Sequence, residues 1–148
     1  MIRLKPDHLA DIEAAAEAAY PYEACGLLVG RAVGADAIEV TRVVPSRNVA
    51  AEQEARKDRF EIDPKLRFDV MRECEGGPED IVGHYHSHPD HPAEPSAIDL
   101  SMAYDREYVW VIAAVAAGRV ARVAAHRLNR AGDAFEEIPL RVQGQEGA

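Results

Sequence analysis

The segment from 83 to 99, GHYHSHPDHPAEPSAID, concentrates residue types that bind metal ions. Four of the chain's six histidines lie within eight consecutive positions of this segment, 84–91. His86 and His88 are separated by one residue, and Asp99 follows eleven positions after His88. Two imidazoles and one carboxylate are a ligand set of catalytic zinc, which keeps a fourth position open for water. The spacing therefore predicts a zinc site at His86, His88 and Asp99.

Two alternatives stay open on the residues alone. His84 alternates with the two predicted ligands, and His91 lies in the following loop, so a site with a third imidazole is an alternative. For His84, a strand histidine held by a hydrogen bond is the simpler interpretation. The letters SAID also match a capping box, in which Ser96 and Asp99 close the first turn of a helix. A capping hydroxyl accepts a backbone N–H and can still donate its own hydrogen, so both functions of Ser96 are compatible.

A hydrolytic zinc site also needs a proton acceptor that is not a ligand. The sequence contains no HExxH motif and no zinc-deaminase signature, so this base must come from elsewhere. Glu23, in YEACGLLVG, is the candidate, because an acid that leads into a buried strand is costly unless it is paired or used. The alternative is a strand-entry acid that faces water.

The loop between His88 and Asp99 contains three prolines. Each proline fixes one backbone angle, so we expect a stiff loop that holds the ligands in place before a metal binds. The alternative is an ordinary proline-rich surface turn. His8 and His126 are isolated in the sequence, and we expect neither to belong to the site.

The rest of the chain predicts the elements that position these residues. Helical spacing of apolar residues predicts helices at 6–20, 64–77 and 96–104. Apolar runs and alternation predict strands at 23–30, 37–44, 59–62, 80–86, 108–115, 119–128 and 134–142, the first two as a hairpin and the fourth running on to His88 if both imidazoles are ligands. Residues 45–58 are predicted as a loop. This order favours an α/β (α+β) fold with a mixed sheet flanked by helices, in one domain over 1–142 with a frayed tail at 143–148.

Composition narrows the function. The net charge of −9 argues against nucleic-acid binding, which needs clustered Lys and Arg. No apolar run is long enough for a membrane span, and the N-terminus lacks the apolar stretch of a signal peptide. The two cysteines, Cys25 and Cys74, form no CxxC pair and are expected to be reduced. These features predict a cytoplasmic protein.

Glu23 followed by HSHPDHPAEPSAID resembles the JAMM, or MPN-plus, zinc metallopeptidases, whose motif is a distant Glu and then H-[ST]-H-x₇-S-x₂-D. Every motif position is matched. The resemblance implies a cytidine-deaminase-like three-layer sandwich. It also implies one zinc ion held by His86, His88 and Asp99, with Glu23 activating the water and Ser96 helping to hold the oxyanion.

Only LSMAYDRE separates Asp99 from the next predicted strand, which resembles the compact prokaryotic branch of the family. That branch implies a peptidase or isopeptidase that cuts after the C-terminal Gly-Gly of a ubiquitin-like sulfur-carrier protein, with residues 45–60 as part of the docking surface. The alternatives are an amidohydrolase acting on small amides and a non-catalytic interaction module. Alternation predicts that Ser87 faces away from the metal, and Cys25 is expected to be a packing residue.

Overall fold

The computed structural model describes residues 1–54, 57–103 and 105–144, and within these ranges the chain forms eight strands and four helices. The strands are β1 (Ile2–Leu4), β2 (Cys25–Val33), β3 (Ala37–Ser46), β4 (Asp80–Pro89), β5 (Val109–Ala116), β6 (Arg119–Leu128), β7 (Phe135–Ile138) and β8 (Leu140–Val142). The helices are α1 (Pro6–Ala19), α2 (Val49–Glu54), α3 (Pro64–Cys74) and α4 (Ala97–Met102). The predicted mixed sheet with flanking helices is confirmed.

The strands form one sheet in the order β7-β6-β5-β4-β2-β3-β1-β8. The pairs β4–β5, β1–β3 and β1–β8 are parallel, and the remaining neighbours are antiparallel. β7 and β8 lie at opposite ends of this order although only Pro139 separates them in sequence. The sheet therefore curls until its two edges meet at Pro139, whose carbonyl accepts a 2.9 Å hydrogen bond from Ile2 N.

The single strand predicted over 134–142 is wrong in this respect, because the segment is two strands with different partners. Pro139 has no N–H to continue the ladder with β6, so the chain changes partner there. β1 was not predicted, because three residues carry too little pattern. β1 is held by β3 and β8, which are distant in sequence.

α1 packs on one face of the sheet and begins with Pro6 in its first turn, as predicted. Its buried residues, Ile12 and Ala16, lie on the predicted apolar stripe. The core on this side, termed the α1-side core, contains Ile2, Leu4, Ile12, Ala16, Leu28, Val40, Tyr85, Val109, Val111, Ala113, Val115 and Ala125.

α3 packs towards the other face, where a second core forms. This α3-side core contains Cys25, Leu27, Val29, Phe60, Ile62, Val70 and Trp110. Cys25 is therefore a buried packing residue, as predicted. The rings of His84 and His86 also contact Phe60 and Trp110, which places these two imidazoles against the α3-side core.

The connection from β3 to α3 differs from the prediction. The segment predicted as a loop over 45–58 contains α2, and the strand predicted at 59–62 is wrong. Ile62 makes only an isolated bridge with Asn48, while Phe60 and Ile62 bury their side chains under α3. The apolar residues of this segment thus pack beneath a helix without extending the sheet.

Two predicted ends fall partly outside the described residues. α4 ends at Met102, and residue 104 of the predicted helix at 96–104 is not among the described positions. Of the predicted frayed tail at 143–148, only 143 and 144 are described, and Gln143 N donates to Leu4 O at 2.8 Å. Among the helices of the described ranges, none has the length and apolar character needed to span a membrane.

Candidate metal centre

β4 presents three histidines on one face of the sheet. The strand extends to Pro89, so both His86 and His88 belong to it and point to the same side. The alternate residues Tyr85 and Ser87 point to the α1 side, and Ser87 Oγ accepts a 2.8 Å hydrogen bond from Ala24 N. Ser87 therefore faces away from the imidazoles, as alternation predicted.

The side chains of His86, His88 and Asp99 converge. The two Nε2 atoms lie 3.2 Å apart, and Asp99 Oδ2 lies 3.3 Å from that of His86 and 3.0 Å from that of His88. A tetrahedral ion with bonds of about 2.0–2.1 Å requires ligand atoms about 3.3 Å apart. The three donor atoms thus already have the separations that one small divalent cation requires.

The first turn of α4 places Asp99. Ser96 is the N-cap residue, and its Oγ accepts a 3.0 Å hydrogen bond from Asp99 N, while Asp99 Oδ2 accepts a 2.9 Å bond from Ser96 N. This capping box orients the carboxylate towards the histidines. The two interpretations of SAID therefore hold together, because the residues that close the turn also deliver the carboxylate. The hydroxyl hydrogen of Ser96 remains available to donate.

Glu23 reaches the same place from the start of β2. Cys25 lies opposite His86 in the antiparallel pair of β2 and β4, and continuing this register by two residues sets Glu23 opposite His88. One carboxylate oxygen of Glu23 and one ring nitrogen of each histidine lie within 4.8 Å of one another, a group that could hold a metal ion. Glu23 is 4% exposed, and its Oε1 has no hydrogen-bond partner.

The surroundings shift the protonation of these groups. Burial raises the pKa of Glu23 to about 8, although the His88 side chain opposes the rise. Burial alone would also raise the pKa of Asp99, but hydrogen bonds from both histidines outweigh burial and hold it below its usual value. Burial lowers the pKa of His86, whereas the hydrogen bonds of His88 to Asp99 and Pro92 overcome burial and raise its pKa. Glu23 is therefore the carboxylate suited to taking and returning a proton near neutral pH.

Contacts behind the ligand atoms fix the two imidazoles. His88 Nδ1 donates to Pro92 O at 2.9 Å, which leaves the Nε2 lone pair of the neutral ring free for a metal ion. The His86 ring stacks on Phe60 with centroids 4.2 Å apart and an interplanar angle of 16°. The proline-rich loop thus orients the His88 ring, and an aromatic ring orients that of His86, while the stiffness of the loop stays a prediction.

The remaining histidines do not join the group. His84 lies among Phe60, Tyr108 and Trp110, and its buried Nε2 has no hydrogen-bond partner, so the expected hydrogen bond is absent from that nitrogen. His91 is exposed, and the group of ligand atoms within reach of one another contains neither residue. The alternatives with a third imidazole are therefore not supported.

His126 was missed by sequence reasoning. Its Nε2 donates to Ala93 O at 2.8 Å, so this histidine contacts the loop that carries the centre. His126 bonds to none of His86, His88 and Asp99, so the expectation that it lies outside the site stays a prediction. The only local signal was a histidine among apolar residues in a predicted strand, and the contact depends on a sheet register that no local pattern gives.

A family model described as prokaryotic homologs of the JAB domain matches residues 5–127. The chain belongs to this family, which confirms the resemblance stated from the motif, and it is a hydrolase of the JAMM type. A curated relative, the desampylase of Haloferax volcanii, is 36% identical over 123 residues, which cover 83% of this chain and 80% of the relative.

Solved structures share the fold of this chain. A solution structure from Desulfitobacterium hafniense has a TM-score of 0.79 at 29% identity, with 97% of this chain and 93% of that chain covered. A solution structure from Salinibacter ruber has a TM-score of 0.72 at 31% identity, with coverages of 99% and 94%. A crystal structure of a JAB1/MPN domain protein from Archaeoglobus fulgidus, with a TM-score of 0.56, 22% identity and coverages of 95% and 96%, shares the fold.

Proposed function

We propose that this chain is a zinc-dependent metallopeptidase or isopeptidase, built as a single domain over 1–142. It hydrolyses the amide bond that follows the C-terminal Gly-Gly of a ubiquitin-like sulfur-carrier protein. The observation that carries the proposal is the convergence of three ligand atoms beside a buried carboxylate that has a free oxygen. The kinship with a desampylase supports a conjugate of a ubiquitin-like protein as the substrate.

We assign the zinc ligands as His86 Nε2, His88 Nε2 and Asp99. The donor set of two imidazoles and one carboxylate fits zinc, and the separations of the donor atoms fit tetrahedral bonds. Zinc at this site would supply Lewis-acid chemistry, lowering the pKa of a water molecule and polarising the substrate carbonyl. The fit rests on nitrogen and oxygen donors alone, since Cys25 lies in the α3-side core and donates weakly to Arg47 O.

Glu23 is proposed as the proton carrier. Its raised pKa, caused by burial, allows Glu23 to accept the proton of the attacking water and to return it to the departing amine nitrogen. Its backbone is held in place because Asn48 Nδ2 donates to Glu23 O at 2.9 Å and Ser87 N donates to Ala24 O at 3.0 Å. The carboxylate therefore stands on an anchored segment opposite the imidazoles.

Ser96 is proposed as a donor to the substrate carbonyl oxygen as negative charge develops there. Its oxygen already accepts the N–H of Asp99, and its own hydrogen is not used in that bond and can serve the substrate. A single such donor is worth about 3 kcal/mol of transition-state stabilisation. Ser96 would thus act in the fold and in the reaction with different atoms of one hydroxyl group.

A groove beside Glu23 supports docking of an extended chain. It has a volume of about 620 Å³ and is lined on one side by small residues of α1 and on the other by residues 45–48, Ala51 and Glu52. The lining includes part of the segment 45–60 that the family resemblance pointed to. A Gly-Gly tail has no side chains to accommodate, so its backbone can approach the alanines of this groove closely.

The test is intact-mass spectrometry of a sulfur-carrier protein that bears a short peptide after its C-terminal Gly-Gly. We expect the zinc-loaded chain to remove the peptide and Glu23→Gln to bind zinc but lose about 10²–10⁴-fold in rate. Glu107→Gln, which changes an exposed glutamate, is the matched control and should cleave normally.

Three outcomes separate the alternatives. A fully active Glu23→Gln variant removes Glu23 from the mechanism. Zinc binding without cleavage of the carrier, together with hydrolysis of short amides, favours a small-molecule amidohydrolase. If the chain binds no zinc and cleaves neither substrate, a non-catalytic interaction module is the better hypothesis.

A further inference from the structure

The proline-rich loop is held at two consecutive carbonyl groups. Pro92 O accepts from His88 Nδ1 at 2.9 Å, and Ala93 O accepts from His126 Nε2 at 2.8 Å. The first bond orients a residue of the metal centre, and the second ties the same stretch of loop to β6, which lies two strands away from β4. A displacement of Ala93 would therefore displace the carbonyl that orients His88.

The sheet beneath this stretch has small side chains that make room for it. His88 is paired with Ala114 on β5, and His86 is paired with Ile112, which in turn faces Ala124 on β6. The methyl group of Ala93, which is 2% exposed, packs into the cluster formed by Ile112, Ala114 and Ala124. The loop is thus seated directly beside the two imidazoles on the same face of the sheet.

The buried carbonyl of Ala93 needs a donor that the backbone of β6 cannot supply. β6 pairs with β5 on one side and β7 on the other, so its N–H groups point along the sheet. A side chain that stands up from the face must therefore donate, and His126, which is 3% exposed, does so. No other hydrogen bond to Ala93 O occurs in the part of the chain that the structure describes.

We propose that His126 is a positioning residue of the metal centre, which acts through the chain His126, Ala93 O, Pro92 O and His88. Its hydrogen bond goes to Ala93 O and not to a donor atom of His86, His88 or Asp99. By fixing the loop it holds the His88 ring in the orientation in which Nε2 meets His86 and Asp99. The inference rests on the zinc site of the proposed function and adds a residue outside the motif to it.

The experiment measures the zinc affinity of the full chain by competition with a chromogenic chelator. His126→Phe removes the donor and keeps a ring of similar size, and we expect its zinc affinity to fall about 10- to 100-fold, as for the loss of other outer contacts of metal ligands. His126→Gln places an amide N–H close to the position of Nε2 and should restore most of the affinity. Ala125→Gly, on the same strand but in the α1-side core, should lower Tm without changing zinc affinity.

His126→Phe with the affinity of the unmutated chain overturns the inference, as does a His126→Gln variant that restores nothing. An equal loss of affinity in Ala125→Gly would show that general stability is responsible. If His126→Phe does not fold, His126→Asn decides, because it keeps a polar amide on a side chain one carbon shorter than Gln, which no longer reaches Ala93 O, and unchanged affinity there also overturns the inference. An unmutated chain that binds no zinc defeats the proposed function itself, which is a different result.

Discussion

β4 divides its side chains between two faces that are equally buried and differ in chemistry. On the α1 side, Tyr85 and Ser87 are each 1% exposed, while on the α3 side His86 is 0% and His88 6% exposed. The ring of Tyr85 lies against Gly26, and Ser87 holds a backbone N–H. The histidines instead direct their nitrogens at one carboxylate oxygen. Burial alone therefore does not reveal function on this strand, whereas convergence of donor atoms does.

The two faces also differ in how much unsatisfied polarity they contain. On the histidine side, Glu23 Oε1, His84 Nε2 and His86 Nδ1 are buried without a hydrogen-bond partner. On the α1 side of the same strand, Tyr85 Oη is in this state. Each such group costs stability, on the order of 1–3 kcal/mol. Of the three residues on the histidine side, Glu23 places its free oxygen in the metal-ligating group, whereas His84 lies outside that group and His86 faces it through Nε2. The number of unpaired atoms therefore gives a measurable difference in stability between the faces.

The largest effect is expected from Asp99→Asn on the histidine face. The amide keeps the shape of the side chain but loses the negative charge that two imidazoles contact. Zinc affinity should fall by more than about 100-fold, beyond the loss seen for outer contacts, and cleavage should disappear at stoichiometric zinc. Asp69→Asn, on the exposed side of α3, is the control and should bind zinc normally. Retained affinity in Asp99→Asn would move the third ligand elsewhere, with Glu23 as the next candidate.

A smaller effect is expected from Ser96→Ala, which tests the two functions assigned to one hydroxyl. Loss of the cap should lower the free energy of unfolding by about 1 kcal/mol. Loss of the donor to the substrate should lower kcat by about 100-fold at saturating zinc. The matched control is Asp63→Ala, which removes the cap of α3 that accepts from Lys65 N. If both variants lose only stability, Ser96 is a cap and nothing more.

The metal centre was predictable because its geometry is local. Alternation on one strand sets His86 beside His88, and a capping box sets Ser96 and Asp99, so the spacing predicts candidate ligands although it leaves His84 and His91 as alternatives. Glu23 was a candidate base from its place at the entry of an apolar strand, with a water-facing acid as the alternative, and its position opposite His88 follows from the pairing of β2 with β4. Local patterns therefore recovered the candidate ligands, and long-range pairing brings the candidate base, Glu23, beside them.

The fold was predictable where elements are long and periodic. α1, β2, β3 and β5 follow from their apolar patterns, and the hairpin turn contains Gly34 at a φ of +66°. β1 and the partner change at Pro139 depend on pairing between distant segments. The segment with Phe60 and Ile62 alternates like a strand, but these two side chains pack against α3 and the segment does not extend the sheet. These errors share one cause. The partners of these segments are decided by contacts between residues distant in sequence, and a local pattern does not distinguish among the possible partners.

Gly26→Ala should damage the α1 side and spare the histidine side. An added Cβ would lie 2.3 Å from the Tyr85 ring, so the ring must shift. We expect the free energy of unfolding to fall by about 1–3 kcal/mol, with zinc affinity of the folded protein unchanged. Chemical denaturation and chelator competition measure the two effects. Combining it with Tyr85→Leu should cost less than the sum of the single changes, and strict additivity would contradict the steric explanation.

The smallest effect is expected from Tyr85→Phe. This change removes a buried hydroxyl that has no hydrogen-bond partner, so the free energy of unfolding should stay the same or rise by up to about 1 kcal/mol.

Ser87→Ala removes the other hydroxyl on this face and should instead cost about 1–3 kcal/mol, because Ala24 N–H would be left buried and unpaired. Ser87→Ala should also weaken catalysis, since the lost bond holds the segment that carries Glu23.

Denaturation curves for the two variants show whether the stability of the α1 side depends on hydrogen bonding of its polar groups or only on their burial. A loss of more than about 1 kcal/mol in Tyr85→Phe would mean that its hydroxyl is paired with an ordered water molecule. In that case the two faces of β4 would differ only in the converging donor atoms of His86, His88 and Asp99. If Tyr85→Phe is neutral and Ser87→Ala is costly, the hydrogen-bonded hydroxyl of Ser87 stabilises the α1-side core and the unpaired hydroxyl of Tyr85 does not. On the opposite face, the unpaired oxygen of Glu23 is then the polar atom available to the proposed metal centre.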